Sequence, residues 1–461
     1  MHYALSLRTF IYSHYFYLGL RVATGVLGLT YLTLQLADIA TAMTVCIGAL
    51  CTSLMDMPSP LRHKFNEMMA AALLCTAVTL LISLCGQMPG PLQLMLVATV
   101  TFMASMLVVY GKKSMPLQLA ALFAMTISIE HDMTVRLAFI NGALFLAGAL
   151  FYVAYAMLIA WFLRHRIKQQ VLAEALFELA RYVTIKADFY DMHHNLNQQF
   201  NALVRHQSLL ADRQQASRDL ILSGHGDLTD AIVVQVHVCM LDLYELILST
   251  HTDYAPLRTH LADTDALRAL HGIACKAARE IEAVAYAVTR KRASHASISY
   301  APELAVIDAE LQALRQRASA EAPVHEALTV LRAQRDKLQA IIAMIKQLHR
   351  ASSSRVPQTR SDWKGADMTP LLSSQHYSPD LMLSNMHLQS PIFRFALRLA
   401  LAVSAGLLIG QNLPYAAYSY WIVLTIVFIL RPSYSVTKQR RRDRVAGTVI
   451  GCLLTALTLY F

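Results

Sequence analysis

Charge is what this sequence has least of. Only 15% of its 461 residues are Asp, Glu, Lys or Arg, where an ordinary soluble domain has about a quarter. Too few charges are present to solvate a globular surface along the whole chain. Cysteine occurs without forming a framework: the seven thiols include no Cys-x-x-Cys pair, and Cys46, Cys51, Cys75, Cys85 and Cys452 lie in or at apolar runs. Zinc ribbons, redox pairs and a disulfide scaffold are thereby set aside. No Walker loop, nucleophile elbow or His-Glu-x-x-His helix occurs, so nothing indicates an enzyme or a cofactor. Acids and histidines are also missing from the middle of every apolar run. Proton-coupled carriers commonly use such a group as a relay, and its absence weighs against one here. Polar lining would fall to Gln35, Gln93, Gln118, Asn141, Tyr418, Tyr420 and threonines.

What is there is apolar, since 56% of the residues are hydrophobic. A span needs about 20 mainly apolar residues to cross roughly 30 Å of hydrocarbon. Six runs fit before residue 163, near 15–35, 38–55, 66–86, 91–110, 115–130 and 136–162. Three more fall near 393–411, 414–431 and 445–461. The fold class expected is all-α, a polytopic membrane protein with nine spans, the fifth of them short. One block occurs twice: Arg21, two apolar runs, then Asp56, Pro58, Pro60 and Arg62 to Lys64; later Arg398, two runs, Pro432 and Lys438 to Arg444. Such a repeat implies two bundles on one plan.

Lys and Arg concentrate in cytoplasmic loops. Arg8, the pair Arg62 and Lys64, the pair Lys112 and Lys113, and the group Arg164, Arg166 and Lys168 fall in alternate loops, so the amino terminus is expected inside. Asp38, Glu130 and Asp132 fall on the other side. Both copies of the block then start inside, which makes the repeat parallel. The net charge of +10 lies mostly beside spans, where it sets topology and meets anionic headgroups of the lipid bilayer. No basic and aromatic interleaving suggests nucleic acid.

The chain accordingly reads as a six-span bundle over residues 1–163, a cytoplasmic α-helical domain over 164–350, a linker over 351–390 and three spans of a second bundle over 391–461. In the insert, Leu172, Leu176, Leu179 and Val183 recur at helical spacing, as do Leu331, Leu338, Ile341, Ile345 and Leu348. The stretch 231–248 imitates a tenth span, but Gln235, His237, Asp242 and Glu245 would lie in hydrocarbon. It reads instead as a core helix of the insert. The pair His193 and His194, near Asp188 and Asp191, lacks ligand spacing and a second cluster, so no metal is expected.

The segments RIKQQVLAEALFELARYVTIKADFYD, SPIFRFALRLALAV and YWIVLTIVFILRPSYSVTKQRRRDRVAGTVIGCLL resemble the YccS/YhfK family of bacterial inner-membrane proteins. That family is fusaric acid resistance-like and related to aromatic acid exporters. The Pro-x-Tyr-x-x-Thr with its Arg cluster and Gly-Thr-x-x-Gly is the most specific part. The resemblance implies two six-span halves separated by a cytoplasmic helical domain, so a chain stopping at Phe461 is expected to be truncated or split. It also implies efflux of small organic anions, aromatic acids among them; the alternative is a non-transporting scaffold or sensor acting through its helical domain. A homo-oligomer or a cytoplasmic protein would then be the partner.

Four arginines are candidates for the anion. Arg21 and Arg398 lie one or two turns into their spans, one in each copy of the block. Arg440 and Arg444, with Arg441 and Arg442 between them, sit at the inner mouth, where guanidinium binds carboxylate bidentately. Their plainer roles are snorkelling to headgroups and anchoring topology. Gly447 and Gly451 form a small-xxx-small pair suited to helix packing, and Asp56 or Glu67 is placed to neutralise Arg62 or Lys64.

Overall fold

A computed structural model describes residues 14–86, 90–129, 133–222, 228–249, 254–262, 264–317, 322–353, 377–412 and 419–460, and every regular element among them is helical. Glu130, His131, Asp132, Tyr418 and most of the linker read at 351–390 lie outside these residues. Two compact units emerge. One holds Gly19–Met57, Leu61–Trp161 and Ser374–Phe461; the other holds Phe162–Ser373 with Met1–Leu18 and Pro58–Pro60.

The apolar unit contains α1 (His14–Leu36), α2 (Ile39–Ser53), α3 (Leu61–Leu84), α4 (Gly90–Met106), α5 (Met115–Ser128) and α6 (Val135–Phe162), followed late in the chain by α14 (Pro379–Ser384), α15 (Pro391–Gln411), α16 (Ser419–Ile429) and α17 (Tyr434–Tyr460). Helices α1, α3, α6 and α15, and α4 with the 3₁₀ turn that extends it to Tyr110, are long and apolar enough to cross a membrane. Of the remaining spans expected from sequence, those at α2, α5 and α16 are shorter, while the last lies in α17, a helix of 27 residues. Helix α2 has 15 residues and α5 has 14, about 22 Å at 1.5 Å per residue, less than the hydrocarbon thickness. The second stops early because the chain turns at Leu54 towards Pro58 and Pro60, carrying Asp56 into the bundle.

Lipid gives helices no hydrophobic reason to associate, so close packing at small residues has to do it. Gly48 of α2 and Gly148 of α6 provide that contact. A Cβ added at Gly48 would overlap the carbonyl oxygen of Phe145, and one at Gly148 would overlap that of Val45. Thr44 adds a hydrogen bond to Asn141 Oδ1 at 2.9 Å across the same pair of helices. The late helices build no separate core. Phe395, Leu399, Val403 and Leu407 of α15 share one cluster with Val97 and Val100 of α4, Leu122 and Met125 of α5, and Val423 and Val427 of α16. Tyr110 donates to the carbonyl of Ser378 at 3.2 Å, just ahead of α14.

The second unit comprises α7 (Arg164–Ala187), α8 (Leu196–Leu222), α9 (Leu228–Ser249), α10 (Tyr254–Leu261), α11 (Ala266–Thr289), α12 (Ala301–Arg317) and α13 (Ala322–Ser353). Its core rests on the stripe Leu172, Leu176, Leu179 and Val183 of α7 against Leu270, Ile273, Ile281 and Val284 of α11. Alanines between them, Ala173, Ala180, Ala277 and Ala278, let the two helices lie close. By length and composition Ala231–Ser249 is a sixth membrane-length helix. Its packing is that of an amphipathic core helix: Val236, Met240, Leu243 and Ile247 join the α7 and α11 core, while Asp242 and Glu245 are exposed. His237, fully buried, lies 3.1 Å from the Ser217 hydroxyl, and burial holds its imidazole down at about 4.

Candidate functional site

The turn after α2 is short and self-bonded, with Asp56 N–H donating to the carbonyl of Ser53 at 3.0 Å and Met57 N–H to that of Met55 at 2.7 Å. Two prolines then lead directly into α3, whose first turn ends at Lys64. This geometry carries the Asp56 carboxylate inward instead of leaving it in a solvated loop; its side chain is wholly buried.

Four segments meet there. Lys64 Nζ donates to Asp56 Oδ1 and also faces the carbonyl of Met57 at 3.4 Å. Arg21, from α1, places Nη2 2.6 Å from the same carboxylate oxygen. Tyr152 of α6 donates its phenol to Oδ2 at 3.1 Å. Tyr155, one turn further on, donates to the carbonyl of Arg21 at 3.2 Å and lies 2.8 Å from the Thr24 hydroxyl. Arg21 is thus held at its backbone as well as at its tip.

Two cations, Arg21 and Lys64, crowd the Asp56 carboxylate, and Glu67, one turn along α3 from Lys64, adds a second negative charge at longer range. The approach of Arg21 is that of an ion pair without hydrogen-bond alignment, since its Nε and Nη2 are buried with no hydrogen-bond partner. A buried guanidinium with unmet donors is costly. Its side chain is 11% exposed, although Nε and Nη2 themselves are covered. A guanidinium offers a planar fork of donors that matches the geometry of a carboxylate.

Sequence reasoning named Arg21 but paired it with Arg398. That pairing is not made: Arg398 is exposed on α15 and takes no part in the cluster. Arg440 and Arg444 are likewise exposed on the first half of α17. Gly447 and Gly451 meet no atom within 4 Å of an added Cβ, so no helix contact within the chain uses them. The Pro432 turn is closed by Thr437, whose hydroxyl accepts from the N–H of Arg431 at 3.1 Å and lies 3.0 Å from the carbonyl of Ser433. Asp56 and Tyr152 were not among the expected site residues. The available signal was the spacing of Asp56, Pro58, Pro60 and Lys64, a turn too tight to leave both charges in water.

In the second unit, Asp191 braces a turn: its Oδ1 accepts the N–H of His193 at 3.0 Å and its Oδ2 lies 3.1 Å from His194 Nδ1. The N–H of His193 holds the Asp191 carboxyl below the usual range. Arg258 binds the carbonyls of Phe189, His194 and Asp191 around that turn. Among the described residues no group of three or more His, Cys, Asp and Glu is placed to hold a metal. Ser294, His349 and Glu280 line up in the order of a hydrolytic relay, with Ser294 Oγ 2.8 Å from His349 Nδ1 and Glu280 against Nε2. They act as a strut. All three are buried, and Glu280 also takes the N–H groups of Ser297 and Ile298 at 3.1 and 2.7 Å, pinning the segment between α11 and α12.

Two family models match the chain. A family model described as FUSC-like inner membrane protein yccS matches residues 68–348, and one described as fusaric acid resistance protein-like matches residues 396–461. An uncharacterized protein of Haemophilus influenzae is 22% identical over 91% of this chain and 58% of its own length. The inner membrane protein YccS of Escherichia coli is 24% identical over 68% of the chain and 44% of itself. The uncharacterized protein YhfK of Escherichia coli is 24% identical over 93% of the chain and 58% of itself. The chain therefore spans less than two thirds of the length of these relatives.

Proposed function

We propose, for a chain that belongs to the FUSC-like inner membrane protein family, that it exports small organic monoanions, aromatic carboxylates among them, and that Arg21 is the group that binds the carboxylate. The observation that carries this reading is the second cation at Asp56. Lys64 keeps Asp56, and Arg21, which only shares that carboxylate, takes the substrate carboxylate. No proton has to move for that exchange. In a cell negative inside, the membrane potential drives an anion outward by about 2.3 kcal/mol per 100 mV, which removes the need for an acid relay within the spans. Tyr152 keeps Asp56 on Lys64 while the substrate is bound, and Tyr155 with Thr24 holds the backbone of Arg21 still.

The positive-inside pattern supports an inward-facing amino terminus, with Arg62 and His63, both exposed at the start of α3, on the cytoplasmic side of the site. Arg440 to Arg444 then serve as a topology anchor on that same side. Labelled benzoate accumulating in inverted vesicles that contain the chain is the test. Arg21→Gln is expected to lower the initial rate at least tenfold, and Arg21→Lys, which keeps the charge but loses the fork, by about as much. Uptake equal to wild type in both variants would remove Arg21 from the pathway.

A further inference from the structure

We infer that the second unit has its own anion site, a pocket between α7, α10, α11 and α13 that takes the carboxylate of a short aliphatic acid between Lys186 and Lys337. This inference is independent of the Asp56 cluster and of the transport reading.

The pocket is a cleft partly open to solvent, with a cavity volume of about 30 Å³, above the roughly 10–15 Å³ that one water needs. That leaves room for a carboxylate head beside the apolar walls. Val183, Ile247, Leu338 and Ile341 make its walls, and Ala274 and Ala277 of α11 make its floor. Into this apolar space project two lysines from different helices. Lys186 Nζ spends one donor on the carbonyl of Ile247 at 2.6 Å and sits 5.6 Å from the centre of the Tyr182 ring. An ammonium has three donors, so two remain on Lys186. Tyr190 and Tyr254 complete the polar lining, and Tyr190 donates to Gln334 at 3.1 Å.

Two like charges beside one apolar cavity repel each other, and an anion between them relieves both. The titratable groups facing the pocket are Lys186 from α7, Tyr190 from the turn after it, Tyr254 from α10 and Lys337 from α13; α9 adds a main-chain carbonyl, and α11 adds only alanines. Burial brings Lys186 down to about 8, and burial followed by the charge of Lys186 brings Lys337 down to about 7. In the unfolded chain both return towards the ordinary 10.5. Between about 7 and 10 the unfolded state therefore binds more protons, so the unit gains stability as pH rises and loses it as pH falls. Anion binding has the opposite sign, being strongest where both lysines are charged and weakening as pH rises through 7 to 8.

The experiment is calorimetric titration of sodium propionate into the purified full chain at pH 6.5, with inorganic phosphate and benzoate as comparison probes. The result expected is saturable propionate binding that persists in Arg21→Gln, which removes binding at the bundle site, and that in this background weakens at least tenfold by pH 9 and at least tenfold in Lys337→Met. Lys337→Met removes a half-buried charge from an apolar wall and is expected to fold, with a higher melting temperature at pH 6.5 than wild type. Lys186→Met provides a second reading of the same loss. In the Arg21→Gln background, absence of propionate binding, binding unaltered in both lysine variants, or phosphate or benzoate binding as tightly as propionate would each overturn the assignment.

Discussion

Asp56→Ala is expected to cost about 3–5 kcal/mol, the range for removing one partner of a buried ion pair. The carboxylate is wholly buried and faces both Arg21 and Lys64. Its loss leaves two cations in the bundle with a phenol and a main-chain carbonyl close by and Glu67 at longer range from Lys64. Thermal melting of the protein in detergent, followed by intrinsic fluorescence, is the measurement. A second variant separates charge from volume: Asp56→Asn with Lys64→Met removes one charge of each sign, and is expected to recover a large part of the loss. Single and double variants melting alike would mean that unpaired charge is not what makes the loss of Asp56 costly.

Gly148→Val is expected to be among the most damaging changes at the glycines, at about 2 kcal/mol or more, because overpacking here works against backbone. The new side chain would have to displace the carbonyl of Val45, and α2 cannot yield without losing the Gly48 contact with α6. Gly447→Val, in open space on α17, is expected to stay within about 0.5 kcal/mol. Purified yield and melting temperature compare the two directly. A Gly447 variant that loses more than the Gly148 variant would place the important helix contact on α17 instead.

Those two glycines mark where sequence reading succeeded and where it did not. Apolar runs of membrane length, the all-helical class and the family were legible because composition and periodicity carry them, and the RPSYSVTKQRRRDR block is specific. The stripe Leu172, Leu176, Leu179 and Val183 was legible for the same reason, and it is buried. Close approach between helices was not. Gly447-x-x-x-Gly451 has the small-residue spacing within one helix, but the contact that forms uses one glycine from each of α2 and α6, and no spacing in the chain shows that.

The charge cluster was hidden for a related reason. Its members, Arg21, Asp56, Lys64 and Tyr152, come from four segments, and each has an ordinary explanation in its own segment. The repeat invited a symmetrical pairing of Arg21 with Arg398. The second copy of the block, however, carries Arg431 ahead of its proline where the first has Asp56, so it lacks the acid that draws the cations together. Arg431 is itself buried, at 8% exposure, with an Nε that has no hydrogen-bond partner. Symmetry of apolar runs did not extend to symmetry of charge.

The central claim is that Arg21 carries a carboxylate across the bundle without a compensating proton. Current recorded from proteoliposomes on a solid-supported membrane tests it most directly, using a benzoate concentration jump at constant pH. Wild-type protein is expected to give a transient current with the sign of moving negative charge, insensitive to a proton ionophore, and Arg21→Gln is expected to give none. Benzoate flux with no net charge movement, or a current of undiminished size in Arg21→Gln, would contradict it.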